Sequence, residues 1–173
     1  MVFASLEFLT LFLPLFLLVY AAVPASWRNA VLMFSSWIFY GWWSPLLLLL
    51  FIALILVGWI GGMAIDSTRT ERQRMLMLAA FITINLSVLC WYKYANILVE
   101  TFNQVLSWSG AMPVPWQKIA LPIGLSFIVL QSISYLIDVQ RRVVPADRSL
   151  VNFGAYQAMF VHLIAGPIIR AAS

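Results

Sequence analysis

Residues 121–142 read LPIGLSFIVLQSISYLIDVQRR. The stretch opens on Pro-Ile-Gly, runs about 17 residues to its first charge, Asp138, and ends on Arg141 and Arg142. That length and that basic flank fit a membrane span ending at an aqueous edge. Unlike the other apolar stretches, it carries Ser126, Gln131, Ser132 and Ser134 at depth. At helical spacing, Gly124, Gln131, Ser134, Tyr135 and Asp138 share an arc of roughly 100°. Lipid offers such a face no hydrogen-bond partner, so it turns toward protein, water or a ligand. The simpler reading is interhelical packing, in which polar side chains bond across helices. The sharper one is a substrate path lined by Gln131, Tyr135 and Asp138.

The rest of the chain agrees with a membrane setting. Of 173 residues, 64% are hydrophobic and 9% charged, with a mean hydropathy of +0.97. A soluble domain of this size needs a more polar coat. The expected fold is all-α: a polytopic membrane helical bundle of about five to six transmembrane or re-entrant helices in one domain, 1–173. Eight Trp and six Tyr supply interfacial belts. The single Cys90 excludes an internal disulfide and a Cys-rich metal site. One His and six acids leave little for a self-contained catalytic centre. The formal charge is +4, but its cations cluster in loops. That pattern reports topology and excludes nucleic-acid binding as the reason for the charge.

Working outward, Leu6 to Val23 reads as a retained first span kinked at Pro14. Ala30 to Trp43 is short and leads through Ser44 into Pro45, so spans two and three form a tight hairpin. Leu46 to Ile65 is the most lipid-like, with Gly58, Gly61 and Gly62 allowing close packing near its end. Asp66 to Arg74 reads as a polar loop. Met75 to Trp91 is the fourth span, followed by a separate amphipathic piece, Ile97 to Trp108, and a loop from Ser109 to Gln117. A last helix covers about Leu150 to Ala165. The loops after spans one, three and five hold Arg28, Arg69, Arg72, Arg74, Arg141, Arg142 and Arg148. The other side holds Lys93, Lys118 and, beyond the last helix, Arg170. This imbalance predicts a cytoplasmic arginine side and an external N-terminus.

Several local patterns then combine. Arg28-Asn29 precedes an apolar run ending Phe39-Tyr40-Gly41-Trp42, and Lys93-Tyr94-Ala95-Asn96 closes the fourth span. Leu121-Pro122-Ile123-Gly124-Leu125-Ser126-Phe127 is followed by Gln131-Ser132-Ile133-Ser134-Tyr135-Leu136-Ile137-Asp138-Val139, and later by Leu163-Ile164-Ala165-Gly166-Pro167-Ile168. In this order and spacing the chain resembles the N-terminal part of the membrane-bound O-acyltransferases (MBOAT) of the alginate O-acetyltransferase type. The resemblance implies a helical bundle of the bacterial inner membrane around a tunnel. It also implies an acyl donor such as acetyl-CoA, membrane lipid as surroundings, and delivery to an exported polysaccharide through periplasmic acetyltransferase partners. The family's essential histidine lies on a later segment, and the chain ends at Arg170-Ala171-Ala172-Ser173. The expectation is therefore an N-terminal portion without the catalytic spans.

No catalytic residue is assigned. His162, the only histidine, sits in the His-Leu-Ile-Ala-Gly-Pro pattern. It is a substrate-path candidate with Gln131, Tyr135 and Asp138, as a polar wall or a helix-packing contact, the alternatives being an interface position without function and a catalytic base. Lys93 and Asn96 are candidates for a lipid or partner contact, although a lysine closing an apolar span commonly snorkels to the interface. Arg141 and Arg142 either solvate a helix end or meet donor phosphates. Arg170 is either a membrane-edge anchor or a partner for Asp138. Metal ligands, nucleotide-binding loops and a Ser/His/Asp triad are absent from the sequence. The competing reading is a catalytically silent membrane scaffold or lipid-binding module. For Gln131, the expected partners are the fourth and last helices, near Asn96 or His162.

Overall fold

The computed structural model describes residues 8–122 and 124–158. Among these residues there is no strand. A π-helical turn (Phe8–Phe12) leads into α1 (Leu13–Ala22), and a 3-10 turn (Ala25–Trp27) leads into α2 (Arg28–Trp43). Then come α3 (Pro45–Ser67), α4 (Glu71–Trp108), α5 (Leu125–Gln140) and α6 (Leu150–Ala158). Proline sets two of these starts. Pro14 stands in the first turn of α1, and Pro45 opens α3 after the single extended residue Ser44. Both sites need no backbone donor from the proline. At Gly124, φ of +86° reverses the chain into α5, a conformation that glycine adopts without a Cβ clash.

Two expectations are corrected. The fourth span and the amphipathic piece are one unbroken helix, Glu71–Trp108, 38 residues long. No Gly or Pro falls in that range, so nothing breaks the ladder at Tyr92 to Asn96. At 1.5 Å per residue it is about 57 Å long, well beyond the roughly 30 Å apolar core of a bilayer. The polar loop Asp66 to Arg74 is also mostly helical. Only Thr68, Arg69 and Thr70 lie between α3 and α4, because Thr68 Oγ1 and Ser67 Oγ both donate to Ala64 O and close the α3 terminus.

The arginines are sorted to one end. Arg74, one turn into α4, bonds Ile65 near the end of α3 and Val139 near the end of α5. Gln140 Nε2 donates to Glu71 Oε1 at 2.9 Å. Asn29 at the start of α2 donates to Asn152 at the start of α6, at 3.0 Å. Arg28 lies 5.4 Å from the ring of Tyr20 in α1. These contacts gather the ends of α1, α3 and α5 with the starts of α2, α4 and α6. Arg28, Arg69, Arg72, Arg74, Arg141, Arg142 and Arg148 all belong to that end.

α5 fills the middle of the bundle. It packs mainly on α3 and α4, and α6 packs on α2 and α3. This modifies the expectation for α5, whose chief neighbour is α3. Glycines on α3 make that approach possible. A Cβ on Gly58 would meet Ser132 Oγ, one on Gly61 the Phe81 ring, and one on Gly62 the Tyr135 ring, all inside 3 Å. Two apolar clusters result. Ile55, Ile65, Leu78, Tyr135, Leu136, Val139 and Phe153 lie toward the arginine end. Phe51, Leu54, Leu125, Ile128 and Val129 lie toward the other. The outer surface is apolar as well: Leu46, Leu49, Leu76, Ile84, Leu98 and Phe102 are exposed. Helices α3 and α4 are long and apolar enough to cross a membrane. Water does not tolerate so continuous an apolar coat, and the chain is a membrane protein.

Candidate functional site

The face of α5 that the sequence singled out turns inward. Gln131 is 1% exposed and Tyr135 3% exposed, while Ser134 and Asp138 are half-buried. The opposite face is not lipid-facing, as Ile128, Val129, Leu136 and Val139 are buried too. With α3, α4 and α6 around it, α5 has protein on nearly every side, and Leu130 is its exposed large side chain.

Gln131 finds a partner other than the two expected. Its Nε2 donates to the backbone carbonyl of Tyr156 on α6 at 3.2 Å. Asn96 is instead committed elsewhere, and His162 and Arg170 lie outside the described residues. One turn of α6 holds the reciprocal bond, in which Gln157 Nε2 donates to Ile128 O on α5 at 2.9 Å. Two glutamines thus stitch α5 to α6, each amide reaching the other helix's main chain. Their side-chain oxygens, with Ser132 Oγ and Asp138 Oδ2, are buried without a partner among the described residues. An unpaired buried acceptor costs about 1–3 kcal/mol, so four along one seam call for a hydrogen-bond donor such as water or a polar ligand. Gln157 escaped the sequence reading because its short helix shows no polar arc.

At the arginine end the seam meets a cavity of about 510 Å³ lined by Tyr135, Val144, Pro145, Ala146, Asp147, Arg148, Phe153 and Tyr156. The rings of Tyr135 and Phe153 are 4.8 Å apart. The Asp147 N–H donates to Tyr135 Oη at 3.0 Å, which folds the connection back over the ring. Asp147 Oδ1 accepts the Ser149 N–H at 2.9 Å and sets up the start of α6. Arg141 and Arg142 are exposed on the same connection. The arrangement can bind: aromatic walls, with Asp147 and Arg148 as the charged side chains in the lining. Among the described residues no group of three or more His, Cys, Asp or Glu could hold a metal ion.

The candidates on α4 lie apart from this site. Lys93 is exposed, with its ammonium 5.5 Å from the centre of the Tyr94 ring. Asn96 is an internal clamp. Its Nδ2 donates to Ile119 O at 2.6 Å, and its Oδ1 accepts from Ile119 N at 2.9 Å and Trp116 Nε1 at 3.0 Å. Asn103 repeats the device on Val114, through bonds of 3.0 and 2.8 Å. Glu100 pairs with Lys118 at 2.9 Å and raises that ammonium above its ordinary pKa. The connection between α4 and α5 is therefore an extended segment laid along the last turns of α4. Asn96, Glu100 and Asn103, spaced four and three apart, form the polar stripe that could have revealed it.

Comparison with known proteins supplies relatives. The chain is 46% identical over 173 residues to the alginate O-acetylase AlgI of Azotobacter vinelandii, covering 98% of this chain and 34% of that protein. It is 44% identical over 174 residues to its counterpart in Pseudomonas aeruginosa, covering 98% and 33%. A peptidoglycan O-acetyltransferase of Helicobacter pylori is 26% identical over 192 residues, covering 94% and 36%. The chain thus spans about a third of the length of the curated relatives it matches. No family model and no solved structure matches.

Proposed function

From a chain related over nearly its whole length to the alginate O-acetylases, we propose the N-terminal part of an O-acetyltransferase that passes acetyl groups across a bacterial inner membrane to an exported glycan. On this reading the donor is a thioester such as acetyl-CoA, and periplasmic acetyltransferase partners complete the transfer. Further MBOAT-type spans carry the acid–base chemistry. The seam between α5 and α6 supports it. Gln131 and Gln157 are each 1% exposed and Ser132 is fully buried, yet each keeps an oxygen without a partner among the described residues, inside an apolar bundle. A packing role alone would have matched these acceptors with donors.

Acetyl content of the exported polysaccharide tests the function. Deleting the gene should lower it, and Gln131→Leu should lower it about tenfold while the protein still accumulates in the membrane. Unchanged acetylation after deletion sinks the function. Unchanged acetylation with Gln131→Leu alone reduces the seam to packing.

Orientation is part of the proposal. The end with seven arginines is taken as cytoplasmic and the N-terminus as external, in a multi-pass arrangement; the excess of arginine at that end supports this. Helix α5 has 16 residues, or about 24 Å, short of the roughly 30 Å core. Protein rather than lipid surrounds it, so full length is not required of it. With Cys90→Ser as background, Thr70→Cys should resist an impermeant thiol reagent in intact cells and react after lysis. Labelling in intact cells would reverse the orientation.

A further inference from the structure

The connection between α5 and α6, residues 141–149, begins with a Schellman turn. The Val143 N–H donates to Asp138 O at 3.0 Å, and the Arg142 N–H to Val139 O at 3.1 Å. The left-handed position of that turn belongs to Arg142, with φ of +60°. Glycine is the usual occupant, because a Cβ there crowds the following carbonyl. Among the described residues Arg142 is the one non-glycine residue with positive φ. Strain kept at one position for the sake of a long cationic side chain points to work for that side chain.

Its surroundings indicate what it meets. Arg141, Arg142 and Arg148 are exposed, and among the described residues none of them pairs with a carboxylate. The one acid on the connection, Asp147, has an oxygen engaged with the Ser149 N–H. Beginning two residues beyond Arg142, Val144 to Arg148 wall the 510 Å³ cavity, whose other walls are Tyr135, Phe153 and Tyr156. The Arg148 side chain in the lining of an aromatic and apolar hollow, with the exposed Arg142 on the same connection, suits a ligand with an anionic end and an apolar or planar end.

We propose that this cavity binds a phosphate ester, with Arg142 and Arg148 on the phosphate and the remainder of the ligand against Tyr135 and Phe153. The phosphate has two possible sources: the headgroup of an anionic phospholipid, or a soluble nucleotide. The lipid source goes beyond the acetyl-transfer reading, the nucleotide source rests on it through the donor, and both are tested without it.

The measurement is the thermal melting midpoint of the chain in phosphatidylcholine nanodiscs, since a ligand that binds only the folded form raises it. Phosphatidylglycerol in the disc is one probe, and pyrophosphate or a nucleoside diphosphate in solution is the other. Arg142→Gly relieves the strained position, so this variant should melt higher than wild type without ligand and need about tenfold more probe for the same shift. Arg148→Gln should weaken the response likewise, and Arg72→Gln, an exposed arginine at the same end, should leave it unchanged. A shift from phosphatidylglycerol alone names the lipid source, and a shift from the soluble probes names the nucleotide source. No shift in wild type, or equal shifts in wild type and Arg142→Gly, overturns the site. Intact binding beside absent acetyl transfer would count only against the acetyl-transfer reading, and the converse only against this one.

Discussion

Arg74→Ala is expected to destabilise the bundle by about 3 kcal/mol, on the scale of 1.5–3 kcal/mol for each hydrogen bond to a charged group. Arg74 is 2% exposed. Its Nε donates to Ile65 O at 3.3 Å and its Nη2 to Val139 O at 3.2 Å. Both carbonyls also accept a backbone N–H, from Thr68 and Arg142 respectively, so the guanidinium uses their second lone pairs. No carboxylate pairs with Arg74 among the described residues. The compensation for burying its charge comes from the ends of α3 and α5, where the helix dipoles are negative. Lysine presents a compact ammonium in place of a planar fork and should recover only part of the loss. Arg74→Met keeps much of the side-chain volume without donors and should behave like alanine. Thermal melting in detergent is the readout. A midpoint equal to wild type in Arg74→Ala would show that the helix ends are held by packing alone.

Gly62→Leu should prevent accumulation of the folded chain, and Gly62→Ala should cost about 2 kcal/mol, within the usual range for overpacking a core. A Cβ at Gly62 would lie 2.6 Å from both Cε1 and Oη of Tyr135. Tyr135 cannot yield cheaply, because it stacks on Phe153 and accepts the Asp147 N–H. Displacing it would open the cavity and loosen the connection to α6 together. Trimming the obstacle tests this cause. In a double-mutant cycle, Tyr135→Ala should absorb most of the added cost of Gly62→Ala. Strictly additive losses would place the clash elsewhere. Gly58→Ala should cost a comparable amount, as its Cβ would meet Ser132 Oγ at 2.5 Å and the Phe153 ring at 3.1 Å.

The inward turn of Gln131 and Tyr135 was legible because an amide and a phenol within one arc of an apolar helix have no partner in lipid. The gathering of arginines was legible because charge in an apolar chain is confined to the ends of its helices. Partners were not legible. Gln131 bonds a main-chain carbonyl of α6, and no pattern of side chains announces which carbonyl a neighbouring helix will present. Arg74 looked like Arg69 and Arg72, since Arg69 precedes α4 and Arg72 lies on it two residues before Arg74, and only the face each takes separates a buried guanidinium from an exposed one. The break imagined at Tyr92 to Asn96 came from reading a lysine and an asparagine as a membrane edge. Backbone continuity depends on propensity and steric fit, which those residues do not disturb. The cavity could not be read at all, because it exists only once the connection at 144–148 folds back over Tyr135.

Helix α4 also has a mechanical consequence. It is held near its start by Arg74 and runs without interruption to Trp108. Those 34 steps make an arm about 51 Å long. Its far turns carry the clamped segment with them through Asn96 and Asn103. Rocking such an arm by about 5° about the arginine would sweep its tip through about 4–5 Å, by the arithmetic of a rigid rod of that length. A sub-ångström adjustment where α3, α4 and α5 meet would thus emerge on the opposite side of the bundle as a displacement the width of a side chain, with no hinge required in between.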